Sequence, residues 1–299
     1  MHTANITSLF ESLGVWSRGD QRAPHKPLLV LLALARWQQG RRDPIRFAQV
    51  DAELTTLLKE FGPSRQSFHS EYPFWRLQND GVWVVTSEQP MKPRASNNDV
   101  LKSELIAHHA KGEFAADVQA ALVADPTLVP KLAALLLERH FPESLHPDIL
   151  EVVGLSLSMA GPKARDSKFR QRILTAYEYR CAVCGFDVRL GSVSIALDAA
   201  HIRWHQAGGP AEESNGLALC VIHHKTFDLG AFTVAPGGTI LVSDQANGSE
   251  GFEATLLRNH TRTIRPPQRP EWKPAPEYLE WHGREVFKGS PRHVPSPSE

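Results

Sequence analysis

The chain has 299 residues, of which 41% are hydrophobic and 22% are charged, and it is long enough for two domains with separate cores. It has no apolar run of membrane-spanning length and no secretory leader pattern, so we expect neither a membrane protein nor a secreted one. The formal net charge of +0 conceals segregation, with seven Lys/Arg against two Asp over 18–46 and six basic against two acidic residues over 163–180. Residues 99–151 reverse the balance, four basic against nine acidic. The pattern fits two DNA-facing surfaces joined by a helical spacer, or ordinary solvated helix faces.

The first half of the chain reads mainly as helices. Apolar residues with helical spacing predict a helix near Ile6–Leu13, another opened by Pro24-His25-Lys26-Pro27, and a third over Phe47–Phe61. Asn79-Asp80-Gly81 before the apolar Val82–Thr86 predicts a hairpin turn leading into a short strand. Residues 99–141 read as further helices, interrupted at two prolines. This half is therefore predicted to be mostly helical with a small β-hairpin.

The second half mixes short strands with helices. We place domains at 1–145 and 166–288, a linker at 146–165, and a disordered, proline-rich tail at 289–299. The predicted order is a helix, a β-rich segment, a short strand, a helix, and a hairpin at Pro236-Gly237-Gly238. The first four of these elements are Ser167–Tyr179, Val193–Ile202, Leu217–Cys220 and His223–Leu229.

A zinc site is the strongest signal in the sequence. Cys181-x-x-Cys184 and Cys220-x-x-His223 supply two knuckles of paired ligands, and no cysteine is left over. Three thiolates and one imidazole are a common tetrahedral set for structural zinc. Three buried free cysteines are the alternative. An odd cysteine count with no spare thiol favours a reducing cytoplasm over a secreted disulfide framework.

The same region resembles the HNH endonucleases, whose ββα-metal fold is often held by a neighbouring zinc. The matching blocks are Asp198–Ile202, Asn215–Cys220 and His223–Asp228. The resemblance implies that His201 is the general base, Asn215 the middle residue and His224 the last histidine. Asn215 would orient a loop, bind an ion, or both. His224 would bind a catalytic Mg²⁺ or Mn²⁺, since oxygen-rich phosphate sites suit hard ions.

One position departs from the HNH pattern. Ala200 stands directly before the base, where several HNH enzymes have an acidic or histidine ligand. Asp198 or Asp228 is a candidate replacement, although strand alternation turns Asp198 away from His201. The ligand set of the catalytic ion therefore stays open.

The first half resembles the sulfur-binding domain of phosphorothioate-dependent HNH restriction endonucleases. The resemblance rests on Arg22–Pro27, on His69–Leu77 and on the Val82-Trp83 strand. It implies that Tyr72 and Pro73 form a shallow apolar pocket for the sulfur of a modified phosphate. Arg22, Lys26 and Arg94 would grip neighbouring phosphates or read guanine edges. His25 either contacts DNA or caps a helix, and core packing is favoured for Phe74 and Trp75.

These observations predict an α+β protein: a mostly helical DNA-reading domain followed by a zinc-stabilised ββα-metal domain. The expected function is a restriction endonuclease that recognises phosphorothioated double-stranded DNA and cuts nearby. One alternative is an HNH enzyme that reads methylated or unmodified DNA. Another is a non-catalytic DNA-binding protein with a degenerate HNH fold. A homodimer is plausible, because one HNH centre cuts one strand at a time.

Overall fold

The computed structural model describes residues 3–14, 23–157, 167–191 and 193–293. Two compact units divide the described chain, the first formed by 3–14 with 23–157 and the second by 167–191 with 193–293. Each has helices and small sheets, so the α+β prediction is confirmed. None of the described helices can cross a membrane alone; only Ala116–Ala124 and Leu128–His140 together, bent by 116°, reach the required length and apolarity.

The first unit is helical with one three-stranded sheet. Its helices are α1 (Thr3–Glu11), α2 (His25–Gln38), α3 (Phe47–Phe61), α4 (Glu71–Arg76), α5 (Lys102–Ala107), α6 (Ala116–Ala124), α7 (Leu128–His140) and α8 (His146–Val153). Its strands are β1 (Ile45–Arg46), β2 (Trp83–Thr86) and β3 (Lys111–Phe114), in the order β1-β3-β2 with antiparallel pairing.

Helix α2 is the centre of the first core. Its residues Leu28–Ala35 are all buried, because α3, α4 and α7 contact it from different sides. A line of aromatic rings continues this core toward the sheet, with centroids 5.0 Å apart for Phe47 and Phe74, 6.1 Å for Phe74 and Trp83, and 5.8 Å for Trp83 and Phe114. Burial of this apolar surface supplies most of the free energy that holds the unit together.

The predicted hairpin at Asn79–Gly81 is wrong. Residues Leu77–Asp80 form a 3-10 turn that continues α4, and Gly81 ends it with a φ of +73°, which glycine adopts without strain. The next strand, β2, pairs with the distant β3, with Trp83 opposite Phe114. Asn79-Asp80-Gly81 does form a turn, but this turn ends a helical segment and does not join two strands.

Gly112 is required by the packing of the sheet. A Cβ atom at this position would lie 2.4 Å from Cζ2 of Trp83, whose side chain is buried. We expect Gly112→Ala to lower the free energy of unfolding by about 1–3 kcal/mol through overpacking. Urea unfolding followed by tryptophan fluorescence would measure it. Gly251→Ala is the control, since its added methyl meets nothing within 4 Å; equal stability of the two variants would contradict the prediction.

The second unit is built around a β-hairpin crossed by helices. Its helices are α9 (Ser167–Ala176), α10 (Val221–Asp228), α11 (Glu250–Thr255) and α12 (Pro276–Glu285). Its strands are β4 (Arg189–Leu190), β5 (Val193–Ser194), β6 (Leu197–His201), β7 (Gly216–Cys220), β8 (Phe232–Val234) and β9 (Ile240–Val242). They pair antiparallel as β4-β5, β6-β7 and β8-β9, so the hairpin predicted at Pro236–Gly238 is confirmed.

The structure differs from the predicted linker and tail at two places. His146–Val153 was assigned to the linker, but it forms α8, whose Ile149 is buried in the first unit. Part of the predicted disordered tail is ordered, because the backbone amide of Arg292 donates to the carbonyl of Val242 at 2.9 Å. The rest of the tail, residues 294–299, lies outside the described residues.

Candidate nuclease centre and DNA-reading surface

The four predicted zinc ligands lie together. The sulfur atoms of Cys181, Cys184 and Cys220 and a ring nitrogen of His223 are all within 4.8 Å of one another. Nδ1 of His223 is 3.1 Å from Sγ of Cys220 and 3.6 Å from Sγ of Cys181. These positions arise because Cys220 ends β7 and His223 lies in the first turn of α10. The cluster therefore has the donors and proximity that a zinc ion needs.

Two further features suit metal binding at this cluster. Nε2 of His223 is 3.0 Å from the carbonyl oxygen of Thr255, which fixes the ring with Nδ1 toward the sulfurs. Contacts with the Cys184 and Cys220 thiols hold the pKa of Cys181 below its usual value, while the Cys181 and Cys184 contacts raise the pKa of Cys220. A negative charge on one sulfur is thus stabilised by the other thiols, as expected of thiols crowded into a ligand set.

His201 stands at the other end of the same hairpin. Cys220 is opposite Leu197 in the β6-β7 ladder and His201 is opposite Gly216. Four residues along a strand correspond to about 13 Å, so the zinc-ligand cluster lies at the opposite end of the hairpin from His201. The His201 ring stacks on Phe169 of α9 with centroids 3.9 Å apart and planes 15° apart. This stack fixes the plane of the imidazole.

Asn215 is a buried residue that holds the loop after His201. Its Oδ1 accepts a hydrogen bond from the amide of Arg203 at 2.8 Å, and its Nδ2 donates to the carbonyls of Arg203 at 3.0 Å and Pro210 at 2.9 Å. These three bonds engage both ends of the side-chain amide. Of the roles left open by the sequence, the geometry favours orientation of the loop over ion binding.

His224 lies beside a buried carboxylate. Its Nε2 is 3.2 Å from Oδ2 of Asp228, one turn later on α10, and the Asp228 side chain is only 2% exposed. Asp198, the other candidate acid, is 3.0 Å from Nε of Arg170 and also accepts a hydrogen bond from the amide of Ala199. Asp228 is therefore the carboxylate better placed to act with His224.

In the basic block over 163–180, the described residues from 167 onward include arginines that pair with acids of their own unit. Arg170 pairs with Asp198, and Nε of Arg172 is 3.0 Å from Oε1 of Glu213. These ion pairs attach α9 to the hairpin and to the segment before Asn215. Of the two interpretations left open by the charge pattern, a continuous DNA-facing surface at this block is the less favoured.

In the first unit, Tyr72 lies in a row of stacked polar and aromatic groups. Its ring stacks on His69 with centroids 5.0 Å apart and planes 22° apart. The guanidinium of Arg76, one turn later on α4, lies 4.7 Å from the Tyr72 centroid on a cation–π contact. Arg76 also makes two 2.6 Å bonds to the buried carboxylate of Asp99, which hold the pKa of Asp99 below its usual value. The ring is thus braced on two sides.

His25 is an uncharged member of this neighbourhood. Burial, assisted by the nearby His69 and Arg65 and opposed by Glu71, lowers its pKa from 6.5 to about 4. The ring is therefore neutral at pH 7 and does not attract a phosphate as a cation. A neutral, partly dehydrated imidazole is better suited to a soft, weakly hydrated group.

Acidification should weaken the first unit through two histidines. Burial lowers the pKa values of both His25 and His140 from 6.5 to about 4, so the unfolded chain binds protons between these pH values that the folded chain does not. Their contribution is present above pH 6.5 and is lost as the pH falls through about 4, by at most about 3 kcal/mol each. Urea unfolding across this range would measure it.

His140→Gln should reduce that pH dependence, since glutamine binds no proton in either state. His205→Gln, at an exposed histidine of the second unit, is the control and should leave the slope unchanged. An unchanged slope for His140→Gln would contradict the prediction.

The other residues predicted to read DNA have mixed positions. Pro73 is buried, and Nζ of Lys26 is 2.5 Å from Oδ2 of Asp80, with both of the latter side chains largely buried. The Lys26 charge is therefore balanced inside the unit.

NH2 of Arg94 is 3.8 Å from Oδ2 of Asp99, and the Arg94 side chain is 37% exposed. Arg22 lies outside the described residues. Phe74 is in the core, as expected, while Trp75 is half-buried and donates from Nε1 to the Asn98 carbonyl at 2.8 Å.

Sequence reasoning assigned no role to Arg65, His69 or Arg76, although His69 and Arg76 lie within the block that carries the resemblance. Arg76 had a usable signal, because it lies four residues after Tyr72 on a helix and so shares its face. Arg65 is in a loop, and only the fold brings it toward His25. We call His25, Arg65, His69, Tyr72, Arg76 and Arg94 the candidate reader surface.

Comparison with known families assigns both units. A family model described as "ScoMcrA-like, DNA sulfur-binding domain" matches residues 3–158, more than half of the chain. The chain belongs to this sulfur-binding family. A second model, described as HNH endonuclease, matches residues 181–235, which include the zinc-ligand cluster, His201, Asn215 and His224. The sulfur-binding domain and the HNH domain thus occur in the order that the sequence resemblance implied.

Comparison with solved structures finds weak similarity to proteins that bind phosphorothioated DNA. The sulfur-binding domains of ScoMcrA and SprMcrA, each complexed with phosphorothioated DNA, are 21% and 20% identical, with TM-scores of 0.43 and 0.45. The matches cover 50% and 52% of this chain and 94% and 95% of those chains. The Type IV phosphorothioation-dependent restriction endonuclease ScoMcrA is 20% identical at a TM-score of 0.39, over 47% of this chain and 28% of its own. No curated protein matches the chain, and nothing in these comparisons supports a homodimer.

Proposed function

We propose that this protein is an endonuclease that binds phosphorothioated double-stranded DNA through its first unit and hydrolyses a nearby phosphodiester bond in its second. The observation that carries the proposal is the joint presence of a sulfur-binding domain over 3–158 and an HNH domain that retains His201, Asn215 and His224. Neither domain alone would connect recognition with cleavage.

Recognition would rest on the chemistry of sulfur. A phosphorothioate carries one sulfur in place of a non-bridging oxygen, and sulfur is larger, softer and more weakly hydrated. Tyr72 offers a braced aromatic surface and His25 a neutral ring, so sulfur would lose little hydration there. A phosphate oxygen would lose hydration without a matching donor. Discrimination of about 1–3 kcal/mol, roughly 10–200-fold, is what an apolar contact of this kind provides.

The surrounding charges would hold the DNA backbone. Arg76 and Arg94 share the single carboxylate of Asp99, so one positive charge stays in excess, and Arg76 lies against the Tyr72 ring. Such pre-positioned cations lose less side-chain entropy on binding phosphate than free ones. Lys26 would contribute less to phosphate binding than the sequence suggested, because Asp80 already balances its charge.

Hydrolysis would use His201 as general base. A neutral imidazole takes a proton from water, and the resulting hydroxide attacks phosphorus as the bond to the 3′ oxygen breaks. The stack on Phe169 and the loop held by Asn215 keep the ring in place for that transfer. His201 is thus oriented by groups that do not react.

Metal ions would serve the two halves of the HNH domain differently. Cys181, Cys184, Cys220 and His223 would hold a structural zinc, since their donor set and proximity fit it. His224 and Asp228 combine an imidazole with a buried carboxylate, a donor pair that fits Mg²⁺ or Mn²⁺. That divalent ion would supply stabilisation of charge on the phosphate and the leaving oxygen. Ala200 contributes no ligand.

Binding to matched duplexes tests the recognition half. The full chain carrying His201→Ala, to prevent cutting, is titrated with a plain duplex and with its Rp and Sp phosphorothioate forms at one stated salt concentration. We expect one phosphorothioate to bind about 10–200-fold more tightly than plain DNA. Tyr72→Ala should bring the ratio toward one, whereas Tyr72→Phe should keep it because the ring remains. Equal binding of all three duplexes by the parent protein would contradict sulfur recognition.

A further inference from the structure

We infer that helix α12 holds the residues of the nuclease centre in position, with Trp281 and His282 as positioning residues. The inference rests on the proposed nuclease function and goes beyond the matched HNH segment, which ends at residue 235, about forty residues before α12 begins. Helix α12 contacts the immediate surroundings of His201, Asn215 and His224 in turn. One helix would therefore set the relative positions of all three.

The first contact is made at the start of the helix, next to Asn215. The amide of Ala275 donates to the carbonyl of Ser214 at 3.0 Å, and the hydroxyl of Tyr278 donates to Oε1 of Glu212 at 2.9 Å. These bonds fix the turn that delivers Asn215. The Tyr278 bond is exposed and contributes a modest part.

The second contact is made with the loop that follows His201. Trp281 is fully buried and packs edge-to-face on Trp204, with centroids 6.1 Å apart and planes 62° apart. Trp204 is the third residue after His201 and adjoins Arg203, the residue that Asn215 holds. The loop is therefore fixed by Asn215 on one side and by α12 on the other.

The third contact is made with α10, at the level of His224 and Asp228. The His282 ring is fully buried and lies parallel to Phe227, with centroids 3.6 Å apart and planes 6° apart. Its Nε2 donates to the carbonyl of Phe227 at 3.1 Å, while Nδ1 accepts from the hydroxyl of Thr233 at 2.9 Å. Phe227 directly precedes Asp228, so His282 fixes the end of the helix that carries the His224–Asp228 pair.

The chain after α10 is closely packed against the end of α12. A Cβ atom at Gly230 would lie 2.1 Å from the carbonyl oxygen of Val286, and the amide of Lys288 donates to the carbonyl of Gly230 at 3.0 Å. This close approach leaves α10 little freedom to shift relative to α12. Replacing a residue that orients a metal ligand without binding the metal itself commonly lowers activity or metal affinity by about 10–100-fold.

His282→Phe tests the inference, because phenylalanine keeps the ring stack and removes both hydrogen bonds. With zinc retained, we expect kcat to fall about 10–100-fold, the half-saturating Mn²⁺ concentration to rise, and KM for phosphorothioated DNA to stay unchanged. Thr233→Val removes only the Nδ1 partner and should have a smaller effect in the same direction. Unchanged kcat and Mn²⁺ dependence in His282→Phe would overturn the inference.

Two further measurements separate this inference from the proposed function. If His282 acts through His224, the double variant His282→Phe/His224→Ala should have the same kcat as His224→Ala alone. A further fall of kcat in the double variant would show that His282 does not act through His224. Mn²⁺ binding followed by electron paramagnetic resonance in the zinc-loaded protein needs no cleavage. Weaker Mn²⁺ binding by His282→Phe than by the wild type supports the inference, and equal Mn²⁺ affinity overturns it. Failure of the wild-type protein to cut any duplex would defeat only the proposed function.

Discussion

Replacing His201 with alanine is expected to slow DNA cleavage by about 10²–10⁴-fold, the usual contribution of a general base. His201 ends β6, stacks on Phe169 and is followed by a loop that Asn215 and Trp281 hold in place. This support orients the ring but offers no second base in its place. Cleavage of a phosphorothioated duplex under single-turnover conditions, with Mn²⁺ in excess, measures the effect.

A neighbouring histidine provides the matched control. The ring of His205 is 6.1 Å from that of His201 but is exposed on the following loop. His205→Ala should therefore cut at nearly the wild-type rate. Both variants should keep the zinc content and the binding of phosphorothioated DNA seen in the wild type. If His201→Ala cuts as fast as His205→Ala, His201 is not the base.

Loss of one zinc ligand is expected to have the largest effect on stability. Structural zinc contributes about 10–16 kcal/mol of binding free energy in small metal-dependent domains, more than the stability of most folds. Cys220 joins β7 to α10, so Cys220→Ser removes a ligand at the junction of the hairpin and its helix. The second unit should lose its cooperative unfolding transition and all cleavage activity.

The first unit should survive that substitution. Its core is centred on α2 and lies within its own compact unit, so selective binding of phosphorothioated DNA should persist in Cys220→Ser. Chelation of the wild-type protein should have the same effect, and re-adding Zn²⁺ should restore cleavage. A Cys220→Ser protein that holds no metal yet unfolds and cuts like the wild type would exclude a structural zinc.

The sequence predicted well those features that depend on local spacing. The zinc-ligand cluster follows from two knuckles in which paired ligands are three residues apart, and Phe47–Phe61 follows from its apolar period. Strand β3 was missed because Lys111–Phe114 is short and has only one large apolar residue, and its partners lie about 25 to 67 residues away. Pairing between distant strands is decided by tertiary packing, which no local pattern records.

Charge partners were the least predictable part of the candidate site. Lys26 looked free to bind phosphate, but its partner Asp80 is 54 residues away and is brought to it only by the fold. Arg76 and Asp99, and likewise Arg170 and Asp198, are also brought together only by the fold. The contacts of α12 with Thr233, Phe227 and Trp204 also join residues that are far apart in the sequence. The sequence therefore indicated candidate reactive groups but not the groups that surround and support them.

Cleavage of three otherwise identical duplexes, phosphorothioated, methylated and unmodified, tests the central claim most directly. The wild-type protein with Zn²⁺ retained and Mn²⁺ or Mg²⁺ added should cut only the phosphorothioated duplex, and the Tyr72→Ala variant should lose that preference. Equal cutting of all three duplexes would contradict a modification-dependent nuclease. Tight binding of the phosphorothioated duplex without any cutting would instead show a DNA-binding protein with an inactive HNH fold.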